Sequence, residues 1–372
     1  MKANPYVGPR SFITGEKLYG RDRELRRLAN LLIAERIVLL YSPSGAGKTS
    51  LVQAALVPRL GEEGFQVLPP IRVGAELPSE CVGVNRYILS AMLSIEGRRP
   101  AKDQIPLAEL AGLSLDAYLE RIADPALDGC VLIFDQFEEI LSLVPNDRTA
   151  KEAFFVQVGV ALRSRARWAL FSMREDYIAQ LDPFLREIPT RLANRMRLDL
   201  LDADAALTAV QKPAHAVGVT FVKEAAQQLI DDLRMVRIQL ADGSTQQEMG
   251  LYVEPVQLQV VCYRLWSGLP EHDVEISVED VAQIGDVTTA LRSYYADRVA
   301  SVAQAAGVNE RLVRDWFDTQ LITAQGLRGQ VLRERGSSGG LLNSAINALI
   351  DSHLVRGEPL RGAIWYELTH DR

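Results

Sequence analysis

At 372 residues the chain holds material for two or three packed units of about 150 residues each. Its composition, 48% apolar and 24% charged, is that of a folded globular protein and excludes extensive disorder. The 41 Lys and Arg against 48 Asp and Glu leave a net charge of −7, so nothing global supports a nucleic-acid footprint or an anionic membrane surface.

Cys81, Cys130 and Cys262 lie far apart with no CxxC pair, which excludes a legible zinc site or disulfide framework and fits a reducing cytosol. The N-terminal MKANPYVGPRSF lacks the apolar core of a signal peptide, and no run approaches the ~18 apolar residues of a membrane span. A cytoplasmic protein without a membrane partner is expected.

Along the chain, Leu25, Leu28, Leu31 and Leu32 recur at helical spacing and predict an amphipathic helix from near Arg21. The run 37–41, IVLLY, reads as a buried parallel strand, followed by a Gly-rich turn (42–47) and a helix. A second strand over 65–73 is interrupted by Pro69 and Pro70. Helix 114–124, strand 130–134, helix 153–165, strand 168–173 and a short strand at 196–200 continue the alternation of a doubly wound sheet. Beyond about Leu201 the strands are expected to stop and four helical stretches to follow. The tail reads as a helix (340–355), a turn cluster RGEPLRG and a strand-like AIWYEL, the ending of a winged helix. The predicted fold is α/β: a P-loop NTPase parallel-sheet domain (1–201), a helical domain (202–285) and a winged-helix domain (286–372).

The strongest chemical signal is SPSGAGKT (42–49), a phosphate-binding P-loop in every position but the first, set between a buried strand and a helix. Backbone N–H groups around Ser44, Gly45, Ala46 and Gly47, with Thr49 and Ser50 at the helix start, can surround phosphate oxygens. Lys48 supplies a cation for the β- and γ-phosphates, and the Thr49 hydroxyl is a Mg²⁺ ligand. Ser42 replaces the usual glycine, and Pro43 after it holds residue 42 in an extended conformation that serine tolerates.

The second signal is VLIFDQFEE (131–139), an apolar strand ending in Asp135. Asp135 is a candidate for holding Mg²⁺ through a water. Either Glu138 or Glu139 can orient or deprotonate an attacking water, and capping of a helix N-terminus is the alternative for both. Arg174, directly after strand 168–173, is a candidate γ-phosphate sensor, or a solvated strand-end cation. Arg191, Arg195 and Arg197 are further candidates for phosphate or intersubunit contacts, an ion-paired or solvated role being the simpler reading.

These motifs, in the order NPYVGPRSF, LYGRDREL, SPSGAGKTSL, LIFDQFEEIL, FSMREDY, VEPVQLQVVCYRLW and YELTHD, resemble those of the novel STAND group of P-loop NTPases over nearly the whole chain. The resemblance implies that Tyr19, Gly20 and Arg21 line the adenine side of a nucleotide site. It makes Arg174 the sensor, Pro255 the GxP proline and His370 the histidine of an MHD-like motif. Here Glu254 precedes Pro255 with no glycine two residues earlier, and Thr369 stands where the methionine would. What it implies for function is an ATP/ADP switch with slow hydrolysis and Mg²⁺, closed by ADP and forming a homo-oligomer on ATP exchange. Effector and sensor domains would lie outside this chain, in a defence or signalling protein. An AAA-type motor gripping DNA through the winged helix is the alternative, but the helix LLNSAINALIDSHLV carries no Lys or Arg, which makes nucleic acid an unfavoured partner. A metabolic P-loop kinase would not need the long C-terminal tail.

Overall fold

The computed structural model describes residues 3–74, 84–142, 147–239, 245–270, 274–283, 287–322, 329–352, 354–360 and 363–368. Helix α1 (Asp22–Glu35) leads into β1 (Ile37–Ser42), whose apolar residues 37–40 are all buried. A helix over 48–62, α2, follows the P-loop, and its middle, Leu51–Leu56, is wound as a π-helix. Pro58 accounts for that turn. It has no N–H to give the ladder, and its ring would crowd the carbonyl of Ala54 in a regular helix.

Strand β2 (Phe65–Val67), helices α3 (Arg86–Glu96) and α4 (Leu115–Ile122), β3 (Gly129–Phe134), α5 (Glu139–Ser142), α6 (Arg148–Ala161), β4 (Arg167–Arg174) and β5 (Arg195–Arg197) complete the first unit. The five strands are all parallel in the order β2-β3-β4-β1-β5. As the sequence predicts, the second strand is interrupted at Pro69–Pro70, and Ile71 resumes pairing with β3 opposite Phe134. Side chains of both sheet faces are buried under helices, in separate apolar clusters. On one face Phe134 stacks on Phe171 at 4.8 Å and Phe137 packs edge-on at 4.9 Å, which anchors the chain just beyond Asp135.

A second core gathers α7 (Ala203–Ala216), α8 (Lys223–Arg234), α9 (Pro255–Gly268) and α10 (Val278–Gln283), together with Tyr6 from the N-terminal segment. The expectation that strands end near Leu201 needs correction. Strands β6 (Thr220–Phe221) and β9 (Glu275–Ile276) pair in parallel, and β7 (Met235–Gln239) pairs with β8 (Thr245–Met249) as an antiparallel hairpin. The DG dipeptide at 242–243 and the alternation in MVRIQ carry that hairpin signal, masked in the sequence by strongly helical neighbours.

The third core holds α11 (Val287–Ala306), α12 (Glu310–Trp316), strands β10 (Val331–Leu332), β11 (Ser337–Ser338) and β12 (Leu341–Leu342), α13 (Asn343–Asp351), β13 (Val355–Leu360) and β14 (Ala363–Leu368). Its three-stranded antiparallel sheet, β10-β14-β13, beside α13 is the layout of a winged helix. The predicted turn cluster at 356–362 is corrected: 355–360 is strand, and Pro359 is accommodated because β13 is an edge that need not donate a hydrogen bond outward. Among the described residues no helix is long and apolar enough to cross a membrane.

Candidate nucleotide site

The strand order places β4 between β1 and β3, so three loops leave the same carboxyl edge of the sheet side by side, where ligands bind open α/β sheets. Ser42 ends β1 opposite Arg174 of β4, and Phe134 ends β3 opposite Phe171. A cavity of about 350 Å³ opens there. Of the sequence-predicted residues, Tyr19, Arg21, Ser44 to Ser50, Asp135, Glu138, Glu139, Arg174 and Pro255 all line it. Gly20 is not part of the lining, and His370 lies outside the described residues.

The P-loop takes its shape from two left-handed glycines, Gly45 at φ 76° and Gly47 at φ 91°. Among the described residues, no atom beyond the adjoining residues stands within 4 Å of where a Cβ would lie on either, so the backbone conformation, not crowding, requires glycine. Ser42 does more than tolerate the first position. Its fully buried hydroxyl accepts a hydrogen bond from Lys48 Nζ at 2.7 Å and donates to the Pro43 carbonyl at 2.6 Å. Burial pulls the Lys48 pKa down, while Glu138 and Asp135 oppose the shift.

Asp135 is 4% exposed and held from both sides. Thr49 Oγ1 donates to one carboxylate oxygen at 3.0 Å, and Ser172 Oγ of β4 to the other at 3.1 Å. Gln136 follows in a left-handed conformation, φ 52°, which turns the chain sharply out of the strand. The two glutamates then part. Glu139 forms an ion pair with Arg72, whereas Glu138 accepts from the Arg174 backbone N–H at 3.3 Å, and burial pushes its carboxyl pKa up. The Arg174 guanidinium pairs with Asp176 at 2.9 Å and lies over the Tyr177 ring at 5.7 Å. Of the other arginines, Arg197 pairs with Glu175 and Asp199, Arg195 donates to the Leu192 carbonyl, Arg191 is exposed, and none lines the cavity.

Pro255 lines the cavity from the first turn of α9, where its missing N–H would have no partner in any case. Arg21 is 5% exposed and donates to two main-chain carbonyls, those of Ala46 at 2.9 Å and Asp199 at 2.8 Å. Gly8–Phe12, Pro213 of α7, Gln259 of α9 and Gly357 of β13, none of them among the sequence-predicted site residues, also form walls of the cavity. The motif NPYVGPRSF was the available signal for the first of these. It crosses from the second core to α2: Val7 N–H donates to Gln259 Oε1 at 3.1 Å, and Phe12 N–H to Ser50 Oγ at 3.1 Å.

The fold is similar to that of the Walker-type ATPase of Pyrococcus abyssi, at 16% identity over 97% of this chain and 96% of that one, with a TM-score of 0.50. The ORC2 protein of Aeropyrum pernix, solved in ADPNP–ADP complexes, aligns over 96% of this chain and 91% of its own at 15% identity and a TM-score of 0.48. A search of curated proteins finds no significant match. The profile of the family described as Novel STAND NTPase 1 matches residues 5–372, the span over which the motif order and the three cores run, and the chain belongs to that family.

Proposed function

We propose that the protein is an ATP/ADP-operated switch that hydrolyses ATP slowly, is held closed by ADP and oligomerises when ATP replaces it, within a bacterial defence or signalling system. The observation that carries this reading is that all three cores reach one cavity: the P-loop unit through Lys48, Asp135 and Arg174, the helical core through Pro213, Pro255 and Gln259, and the winged helix through Gly357. A ligand biases a conformational equilibrium only through contacts that differ between the states, and walls contributed by three separately packed units offer such contacts.

In this reading Lys48 and the N–H groups from Gly45 to Ser50 bind the phosphates, and Arg174 senses the γ-phosphate. Glu138, not Glu139, serves as the base, since the Glu139 carboxylate is engaged by Arg72 while Glu138 stands near Lys48 and Asp135. The hydroxyl of Thr49 and the carboxylate of Asp135, 3.0 Å apart, are the hard oxygen donors that suit Mg²⁺, which when bound neutralises charge on the phosphates. His370 is the candidate for a phosphate contact in the closed form, and Tyr19 and Pro255 for the base. The absence of Lys and Arg from α13 favours a structural winged helix over one that grips DNA.

The test is to release and identify nucleotide from freshly purified protein, beside Lys48→Ala and His370→Ala. Tightly held ADP, lost in both variants, is expected. Protein that holds no nucleotide, turns ATP over rapidly and is indifferent to His370→Ala would move the assignment to a motor.

A further inference from the structure

Gly20 and Arg21 sit where three parts of the molecule meet. One terminal nitrogen of the Arg21 guanidinium binds the Ala46 carbonyl of the P-loop and the Asp199 carbonyl just past β5, at 2.9 and 2.8 Å, while the other meets Glu24 at 3.3 Å. Gly20, at φ 79°, lies so close to the first turn of α7 that a Cβ there would come within 2.4 Å of the Ala205 carbonyl. The dipeptide therefore touches the phosphate loop, the end of the sheet and the helix that opens the second core.

The bond to Ala46 bears on phosphate binding. In a trans peptide the C=O and the following N–H point in opposite directions. Holding the Ala46 oxygen therefore fixes the direction of the Gly47 N–H, in a stretch where Gly45 and Gly47 would otherwise leave the peptide free to rotate. A guanidinium with two hydrogen bonds to carbonyls and 5% exposure is not arranged to release them for a base.

We propose that Arg21 is a positioning residue for the phosphates, not a reader of the adenine: it aims the Gly47 N–H by anchoring the Ala46 carbonyl and, through Asp199, ties the loop's shape to the junction with the helical core. The proposal rests on the nucleotide-switch reading and departs from the adenine-side role implied by family resemblance.

The experiment displaces a fluorescent ADP analogue with ADP, AMP and GDP from wild type, Arg21→Met and Arg21→Lys. Two ratios are read from each preparation, so any unfolded fraction cancels. The ADP-over-AMP preference should fall about tenfold in Arg21→Met, from the loss of charge-assisted hydrogen bonds to the loop. Arg21→Lys, whose ammonium can replace only part of the fork, should show a smaller fall, and it carries the test alone if the methionine variant does not fold. The ADP-over-GDP preference should stay at the wild-type value in both. A changed ADP-over-GDP ratio with ADP and AMP weakened equally would make Arg21 a base reader, and two unaltered ratios would leave it no role in positioning the loop; either overturns the proposal. Wild type that binds none of the three would instead overturn the switch reading.

Discussion

Lys48 and Asp135 are each held by neighbouring hydroxyls, Lys48 by Ser42 and Asp135 by Thr49 and Ser172, the kind of fixed orientation that electrostatic preorganisation in the proposed nucleotide site calls for. Ser42 supplies an acceptor for the half-buried Lys48 ammonium, so Ser42→Ala should lower the stability of nucleotide-free protein by about 1 kcal/mol. Phosphate restores the missing partner, and the ADP-induced rise in Tm should accordingly be larger than in wild type. Glu138 makes a second prediction. Because burial raises its pKa, the carboxyl keeps its proton to higher pH than an ordinary glutamate, near 4.3. In the proposed role of base Glu138 must act as the carboxylate, so kcat should rise with pH through a pKa above that ordinary value. Glu138→Gln should lower kcat by about 10²–10⁴-fold while ADP still binds. Glu139→Gln, which loses the ion pair with Arg72, should leave kcat unchanged within twofold, because Glu138 and not Glu139 is the proposed base. At Arg174, Asp176 competes for the guanidinium that the γ-phosphate would claim; Asp176→Asn should raise affinity for a non-hydrolysable ATP analogue relative to ADP in parallel titrations.

At the scale of elements, β4 between β1 and β3 brings the P-loop, Asp135 and Arg174 to one edge, and the glycines let the loop between β1 and α2 close around phosphate. The N-terminal segment is the less expected element. Asn4 Nδ2 donates to the Tyr263 carbonyl at 3.0 Å and the Tyr6 hydroxyl to the Val210 carbonyl at 2.5 Å, which fasten it to the helical core. Thr14 Oγ1 donates to the Gln53 carbonyl at 3.0 Å, which fastens it to α2. A segment bound at both ends to different cores walls the cavity and resists their separation. Removing residues 1–12 should therefore speed ADP release in a chase with unlabelled nucleotide; release at the wild-type rate would show that the segment does not retain ADP.

For the whole molecule, a ligand contacting three cores should stabilise them together. At a free ADP concentration 100 times Kd the expected gain is about 2.7 kcal/mol. It should appear as an upward shift of every unfolding transition seen by calorimetry, and it should vanish in Lys48→Ala. A shift confined to one transition would mean that the helical and winged-helix walls contribute little to binding. Exchange of ADP for a non-hydrolysable ATP analogue should raise the mass measured by light scattering.

Short-range pattern encodes the buried runs of β1, β3 and β4, the P-loop between β1 and α2, Asp135 at a strand end, and the interruption at Pro69–Pro70. Each depends on spacing within one element or one turn, where periodicity and backbone chemistry act directly. Features that depend on partners distant in the chain come from packing instead. Arg72 separates Glu139 from Glu138, Ser172 completes the hold on Asp135, and Asp199 and Ala46 engage Arg21. Tyr6 joins a core built from residues two hundred positions later, which no local pattern announces. The hairpin of β7 and β8 was lost for the opposite reason, its short alternation lying between long helical signals. Local propensity names the groups capable of chemistry, and long-range packing selects among them by burial and by the partner each one meets.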